Sequence, residues 1–413
     1  MLDEHDSALS SQALVHLKAI GNADILVGIP SYNNVLTASY VISQVVKGLE
    51  TYFPDCRSVI FVSDGNSIDG TLSTVKTVNL PAKVNLIPAV YMGISGKGSA
   101  LKAIFEAARF LSVKAVTLVD SDLRSITPEW VKLLTGPALS GTGLVVPLYS
   151  RRKYDGTITN LLCYPVTTAL YGKEIRQPIG GDFGLSIEFV KTLLQSPLWG
   201  MREVRMFGID IFETHTALAE GFKVDQAFLG IKEHEAKDPY KHLASMFRDV
   251  IGTMFACAEQ YETAWKGITG VSKVDLIGEE KHLNSQSPIP IDLQRMIAAF
   301  IEDFDKYHPV YRSALDEDTM LKVEKLKYLE KAAISFPFDT WAKTVYTFMA
   351  KFHKTVVTSE RGFLIDALRI LWLGRLAAFI KETTDFTSEE TESLIREQAA
   401  TFVRLKPYLS SIY

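Results

Sequence analysis

Ala115-Val116-Thr117-Leu118-Val119-Asp120-Ser121-Asp122 is the stretch on which the reading of this chain turns. It is a short β-rich apolar run that ends in two carboxylates separated by one residue. In an extended segment, Asp120 and Asp122 project to the same side. Such a pair can hold a hard divalent cation, Mg²⁺ or Mn²⁺, and leave coordination positions for phosphate oxygens. A nucleotide diphosphate leaving group needs that neutralisation, and the ion acts as its Lewis acid. The plain alternative is an aspartate that caps the next element from a strand-end turn. Asp-x-Asp is common by chance, so the pair by itself leaves both readings open.

Upstream, the same texture repeats. Ile25 to Ile29, Val59 to Val62 and Val84 to Ile87 are apolar runs, and helical patterns at Leu36 to Leu49, Thr71 to Val78 and Ala100 to Leu111 lie between them. Strands alternating with helices predict βαβ units and a mainly parallel sheet. Ligands in such sheets bind beyond the carboxyl ends of the strands, which is where the polar clusters of this chain fall. Downstream of about residue 240 strand-like runs nearly vanish. Met246 to Trp265, Asp292 to Tyr307, Asp318 to Ala333, Thr340 to Lys354, Gly362 to Lys381 and Ser388 to Leu405 carry helical spacing. Gly278 to Pro290 reads as a polar loop. The expected organisation is an extension at 1–23, an α/β domain at 24–240 and an all-helical region at 241–413.

Composition excludes several classes. The 413 residues exceed one compact core. Net charge is −4, from 44 basic and 48 acidic residues, and no basic patch calls for nucleic acid. The first residues lack the order of a secretory leader. Leu364 to Ile380 is the best membrane candidate, but Asp366, Arg369 and Arg375 interrupt it, so a buried helix is expected and no membrane span. Three scattered cysteines, Cys56, Cys163 and Cys257, form no metal spacing and suit a reducing cytoplasm. Oligomeric state is not readable, although the helical region could supply a homo-oligomer interface.

Three further clusters follow strands. Asp64, in Ser63-Asp64-Gly65-Asn66, could accept from a nucleobase or ribose, and the glycines let backbone approach a ligand. Pro30-Ser31-Tyr32-Asn33 could line the same pocket through Pro30 and Tyr32, or be only a proline turn. Gly96-Lys97-Gly98-Ser99 puts a lysine between glycines at a helix start, which suits a phosphate or an anionic acceptor. It lacks the spacing of a P-loop.

In sum, Pro-x-Tyr-Asn, Ser-Asp-Gly-Asn-Ser-Ile-Asp-Gly-Thr, Gly-Lys-Gly and Asp-Ser-Asp resemble GT-A-fold glycosyltransferases. Within that fold the pattern is most similar to the retaining enzymes that make glucosylglycerate, mannosylglycerate and glucosyl-3-phosphoglycerate. The resemblance covers roughly residues 24–240 and implies a GT-A domain, a divalent metal (Mg²⁺ or Mn²⁺) and a GDP- or UDP-hexose donor. It also assigns residues. Gln177-Pro178-Ile179-Gly180-Gly181-Asp182 is similar to a family segment whose glycines and acid meet sugar hydroxyls, here Gly181 and Asp182, although alone it is a tight turn. Phe207-Gly208-Ile209-Asp210 resembles the family's acid beside the sugar ring. The resemblance makes His234 the third metal ligand after Asp120 and Asp122, a role imidazole suits.

Arg151, Asp155 and Thr159 resemble the loop that grips glycerate. Arg151 can fork a carboxylate, and Asp155 and Thr159 can bond its hydroxyls. The 3-phosphoglycerate-using relatives carry Gly-Arg-x-Thr, where this chain has Gly156-Thr157-Ile158-Thr159. That departure tilts the expectation toward D-glycerate as acceptor, with 3-phosphoglycerate as the alternative. The expected activity is retaining transfer of a hexose to the 2-hydroxyl of D-glycerate, giving a glycosylglycerate compatible solute. The catalytic residues expected are Asp210, Lys97 and Asp182. Glucose is favoured over mannose, although no residue reports the one stereocentre by which they differ. A sugar nucleotidyltransferase would need a Gly-rich loop after the first strand. A scaffold without activity would bind no nucleotide sugar.

Overall fold

The apolar runs before Asp120 become neighbouring parallel strands. The computed structural model describes residues 7–233, 239–280, 292–328 and 334–413. Its strands are β1 (Ile25–Ser31), β2 (Ser58–Asp64), β3 (Val84–Val90), β4 (Ala115–Leu118), β5 (Leu144–Ser150), β6 (Lys173–Glu174), β7 (Gly184–Ser186), β8 (Val224–Ile231), β9 (Ser272–Lys273) and β10 (Leu276–Ile277). Eight of them form one sheet in the order β10-β8-β5-β7-β4-β1-β2-β3. All its pairings are parallel except those of β7, which runs antiparallel between β4 and β5. The fold is an α/β domain with a helical C-terminal region. Alternating strands and helices force this sheet, because parallel neighbours need a crossover on the sheet face.

Two compact units divide the chain. The first spans Met1–Ser150, Gln177–Glu235 and Val274–Leu283, and contains the eight-stranded sheet. Its helices are α1 (Ser11–Ile20), α2 (Ala38–Tyr52), α3 (Thr71–Val75), α4 (Lys97–Phe110) and α5 (Pro128–Leu139), followed, past α6 (Tyr164–Tyr171) of the other unit, by α7 (Ile187–Gln195), α8 (Arg202–Arg205) and α9 (Ile209–Ala219). The strands of β1 and β2 are buried on both faces, as a sheet covered by helices requires. Residues of the expected N-terminal extension pack onto this unit. Buried Glu106 accepts from Ser7 Oγ (2.7 Å), Ala8 N (2.9 Å) and Leu9 N (3.3 Å).

The second unit spans Arg151–Arg176, Ala236–Lys273 and Asn284–Tyr413. With α6 it contains α10 (Pro239–Gln260), α11 (Glu262–Lys266), α12 (Leu293–Ala314), α13 (Glu317–Tyr328), α14 (Phe338–Lys354), α15 (Thr358–Glu382) and α16 (Ser388–Ile412). The chain therefore crosses between units more often than boundaries at 24–240 and 241–413 suggest. Residues 151–176 pack with the helices because Leu161, Leu162 and Tyr164 are buried there. Trp341 Nε1 donates to Leu161 O (2.9 Å), and Lys406 Nζ donates to Leu170 O (2.9 Å). Conversely, β10 returns to the sheet beside β8. α15 contains the apolar run from Leu364. Its Arg375 is fully buried and paired to Glu382 at 2.9 Å, and no helix among the described residues is long and apolar enough to cross a membrane. α16 starts where Ser388-Glu389-Glu390 predicts, through a capping box between Thr387 and Glu390.

Candidate functional site

The in-register pairing of β1 with β2 sets Ser31 beside Asp64 at the strand ends, and β4 runs parallel on the other side of β1. Asn34 ties the loop after β1 to the Asp-Ser-Asp segment. Its Oδ1 accepts from Tyr32 N (3.0 Å) and Ser121 Oγ (2.7 Å), while Thr37 Oγ1 donates to Ser121 O (2.8 Å). Tyr32 is exposed, and its ring lies against Gly65, where a Cβ would come within 3.0 Å of it. Pro30 is half-buried on β1. Asp64 is wholly buried and accepts from Ser67 N and Ser67 Oγ, both at 2.7 Å. Its carboxylate thus shapes the turn, leaving Tyr32 and the glycine backbone as the open rim.

A charged cluster sits past the end of β4. Lys97 Nζ lies 3.1 Å from Asp120 Oδ1 and 3.1 Å from Asp210 Oδ1. Lys232 Nζ lies 2.9 Å from Asp120 Oδ2, 2.7 Å from Asp182 Oδ2 and 2.9 Å from Gly180 O. Asp182 Oδ1 accepts from Asp120 N (2.8 Å), and Tyr149 Oη donates to Asp182 Oδ2. Lys97, Asp120, Asp182, Asp210 and Gly181 are therefore brought together. Gly181 has φ +90°, and a Cβ there would come within 2.7 Å of Asp120 Oδ2. Only a glycine lets the turn carry this backbone beside a paired carboxylate.

Burial opposes charge at each of these groups, and the outcome differs from one to the next. Burial alone would raise Asp120, but the ammoniums of Lys232 and Lys97 outweigh it and hold its carboxyl well below the usual range. At Asp182 burial wins and the carboxyl is raised, despite Lys232. Asp210 is raised too, burial exceeding the pull of Lys97. Burial lowers Lys97, yet Asp120, Asp210 and Asp182 together push it up, so it stays an ammonium. A preorganised set of buried cations and anions of this kind can stabilise charge that moves during a reaction.

The Gly-Lys-Gly run has a packing cause. Lys97 opens α4, and Gly98 N donates to Met206 O (2.9 Å) just beyond α8. A Cβ on Gly98 would stand 1.9 Å from Val204 O and 2.7 Å from Arg205 Cα. Those are backbone atoms, so neither can yield as a side chain would. Gly98→Ala is expected to displace the start of α4 and with it Lys97, costing about 1–3 kcal/mol of stability and most of any activity. Urea unfolding and nucleotide binding measure the two losses, and an unperturbed variant refutes this role.

Asp122 is half-buried, and its side chain has no partner among the described residues. It and Asp120 are hard oxygen donors that suit Mg²⁺ or Mn²⁺. Asp120 already holds a lysine on each oxygen, so Asp122 is the freer carboxylate. His234 lies outside the described residues. The residue before it is tied to this loop: Arg124 N donates to Glu233 O (3.0 Å) and Glu233 N to Ser125 Oγ (2.9 Å). Among the described residues no three His, Cys, Asp or Glu side chains form a metal group.

Within the helical unit, Arg151 pairs with Asp155 at 3.4 Å, and Gly156 takes φ +70° before Thr159. Thr159 begins a π-helical turn, Thr159–Cys163, a feature common at functional sites. Arg151, Asp155 and Thr159 thus share one loop. Lys153 donates to Thr384 O (3.1 Å) and Phe386 O (2.8 Å), capping the end of α15. Gln398 Nε2 reaches Asn160 O (3.1 Å), and Arg375 Nε bonds Gln398 Oε1 (3.1 Å). The helices therefore brace this loop.

Sequence reasoning missed Lys232 and Tyr149, and gave no reading of Glu213, buried one turn after Asp210. Lys232 had a usable signal, since it directly follows β8 and so obeys the strand-end rule. Tyr149 and Glu213 had none.

No family model matches the chain. It is 28% identical over 235 residues to a glucosyl-3-phosphoglycerate synthase of Mycolicibacterium paratuberculosis, covering 52% of this chain and 68% of that protein. It is 27% identical over 252 residues to one of Mycobacterium tuberculosis, covering 56% and 72%. A solved structure of the M. tuberculosis synthase in complex with Mn²⁺, uridine diphosphate and phosphoglyceric acid is 25% identical. It aligns with 61% of this chain and 84% of that one at a TM-score of 0.45.

Proposed function

We propose that this chain, which is similar to glucosyl-3-phosphoglycerate synthases, is a retaining hexosyltransferase acting from a GDP- or UDP-hexose, glucose before mannose, on D-glycerate. The observation that carries the reading is the pair of lysines bridging Asp120 to Asp210 and Asp182 at the strand ends. Asp120, Asp122 and His234 would hold Mg²⁺ or Mn²⁺, which supplies Lewis-acid neutralisation of the diphosphate. Lys97 stands where it can meet the charge that the diphosphate gains. Tyr32, Pro30 and the Asp64 turn hold the nucleoside. Gly181, Asp182 and Asp210 surround the hexose.

Arg151 forks the acceptor carboxylate, and Asp155 and Thr159 take its hydroxyls. The bond from the anomeric carbon to the diphosphate breaks on the face where the acceptor 2-hydroxyl oxygen bonds. The hydroxyl proton passes to the departing phosphate oxygen, so configuration is retained. An inverted product would sink this step. Three free cysteines fit a cytoplasmic enzyme.

A second reading takes 3-phosphoglycerate as acceptor, favoured by the names of the relatives. Against it stand Thr157, buried where the phosphate-using pattern has arginine, and Lys153, spent on the end of α15. Each acceptor is incubated with UDP-glucose, GDP-glucose and GDP-mannose in separate tubes with metal, and diphosphate release and product mass are followed. Product with 3-phosphoglycerate alone reassigns the loop. No product with either discards the acceptor, and no nucleotide-sugar binding favours a scaffold. Arg151→Ala is expected to raise the acceptor KM about tenfold or more, the worth of hydrogen bonds to a charged group, and to leave the donor KM unchanged. An unchanged acceptor KM removes Arg151 from the site.

A further inference from the structure

Glu213 lies three residues after Asp210 on α9, on the same side of the helix one turn on. α9 is buried over nearly its whole length, and Glu213 is 0% exposed. Neither of its carboxyl oxygens has a hydrogen-bond partner among the described residues. One turn away, Asp210 Oδ2 accepts from Lys97 at 3.3 Å. Asp210 Oδ1 lies 3.1 Å from the same ammonium but without hydrogen-bond alignment, and is itself without a hydrogen bond. Three buried carboxyl oxygens on one helical turn thus lack a donor. Native interiors leave few such groups, and each calls for a reason.

We propose that Glu213 is a positioning residue for Asp210: its carboxyl O–H donates through one buried water to Asp210 Oδ1, and holds Asp210 toward Lys97. An ionised carboxylate in that surrounding would face the full desolvation penalty with no compensating bond. The charges that act on it include two further anions, Asp210 and Asp120, against the single cation Lys97, and burial with Asp210 raises Glu213 well above its ordinary value. A carboxylic acid has one proton to give and Asp210 has one oxygen free to take it. With that bond made, Asp210 keeps its second oxygen on Lys97, and Lys97 stays shared with Asp120. The role rests on the reading of Asp210 as the acid beside the hexose.

A buried acid with no partner is a poor choice for stability alone, since an apolar side chain of similar size would avoid the desolvation. That separates the two roles. Glu213→Leu and Glu213→Gln are compared with wild type by urea midpoint, by donor KM and kcat of hexosyl transfer, and by infrared difference spectra at neutral pH. The wild-type-minus-Gln spectrum is expected to contain a protonated-carboxyl band. The Leu variant is expected to unfold at an equal or higher urea concentration. Its kcat should nonetheless fall by about ten- to a hundredfold, the range for loss of an outer hydrogen-bond partner at a site. The Gln variant, whose amide can still donate, should keep most of kcat. A Leu variant of wild-type kcat overturns the proposal, as does a Gln variant that falls as far as Leu, or a difference spectrum without the band. A wild-type protein that transfers no hexose defeats the function reading instead, and the band then decides for or against the Glu213 proton.

Discussion

Lys232→Ala is expected to destabilise the α/β unit by about 3–5 kcal/mol, the cost of stripping one partner from a buried ion pair. The Lys232 side chain is 6% exposed, and its ammonium faces Asp182, whose side chain is 0% exposed, and Asp120. Without it two aspartates meet at the strand end with only Lys97 between them and Asp210. The raised proton affinity of Asp182 already marks it as the group least able to stand unpaired. Adding Asp182→Asn to Lys232→Ala removes the stranded charge, so the double variant should regain a clear part of the lost stability. Urea midpoints of the four proteins form the cycle. Additive losses would mean that the lysine contributes by packing and not by charge.

Asp122→Asn is expected to do the reverse, leaving the fold intact and removing function. The side chain of Asp122 has no partner among the described residues, so the swap breaks no bond among them. It removes the freer carboxylate of the pair. Metal-dependent binding of a nucleoside diphosphate should weaken strongly, and kcat/KM should fall by roughly a hundredfold or more, as when one preorganised charge-stabilising group is lost. Calorimetric titration with Mn²⁺, with and without nucleotide, reads the first effect without any turnover. If nucleotide binding still responds to metal as in wild type, the metal ligand lies elsewhere. Asp120→Asn makes the contrast, because it also deprives Lys97 and Lys232 of their shared anion and should cost stability as well as binding.

Local pattern was enough for the first four strands of the sheet and for the motifs at their ends. The run Ala115–Leu118 and its three upstream counterparts are strands because continuous apolar β-rich segments between helical patterns can be satisfied only inside a covered parallel sheet. Strand-end placement then fixes Asp120, Asp64 and Tyr32 near one rim. The relation of residues 151–176 to the helices was not legible, since it depends on which distant apolar surface Leu161 and Tyr164 bury against. Nor was the state of Asp64, whose two oxygens are taken by a neighbour three residues away.

Legible in the sequence were the class of structure, the helical C-terminal region and most members of the charged cluster past β4, because periodicity and strand-end position are local properties. Only the tertiary structure decided the pairing. It brought Lys232 from β8, Lys97 from α4 and Asp210 from α9 onto the two carboxylates after β4 and in the Gly-Gly turn. It also buried Glu213 with no hydrogen-bond partner among the described residues. Those facts depend on desolvation and on distances of a few ångströms between residues far apart in the chain, and no local pattern encodes either.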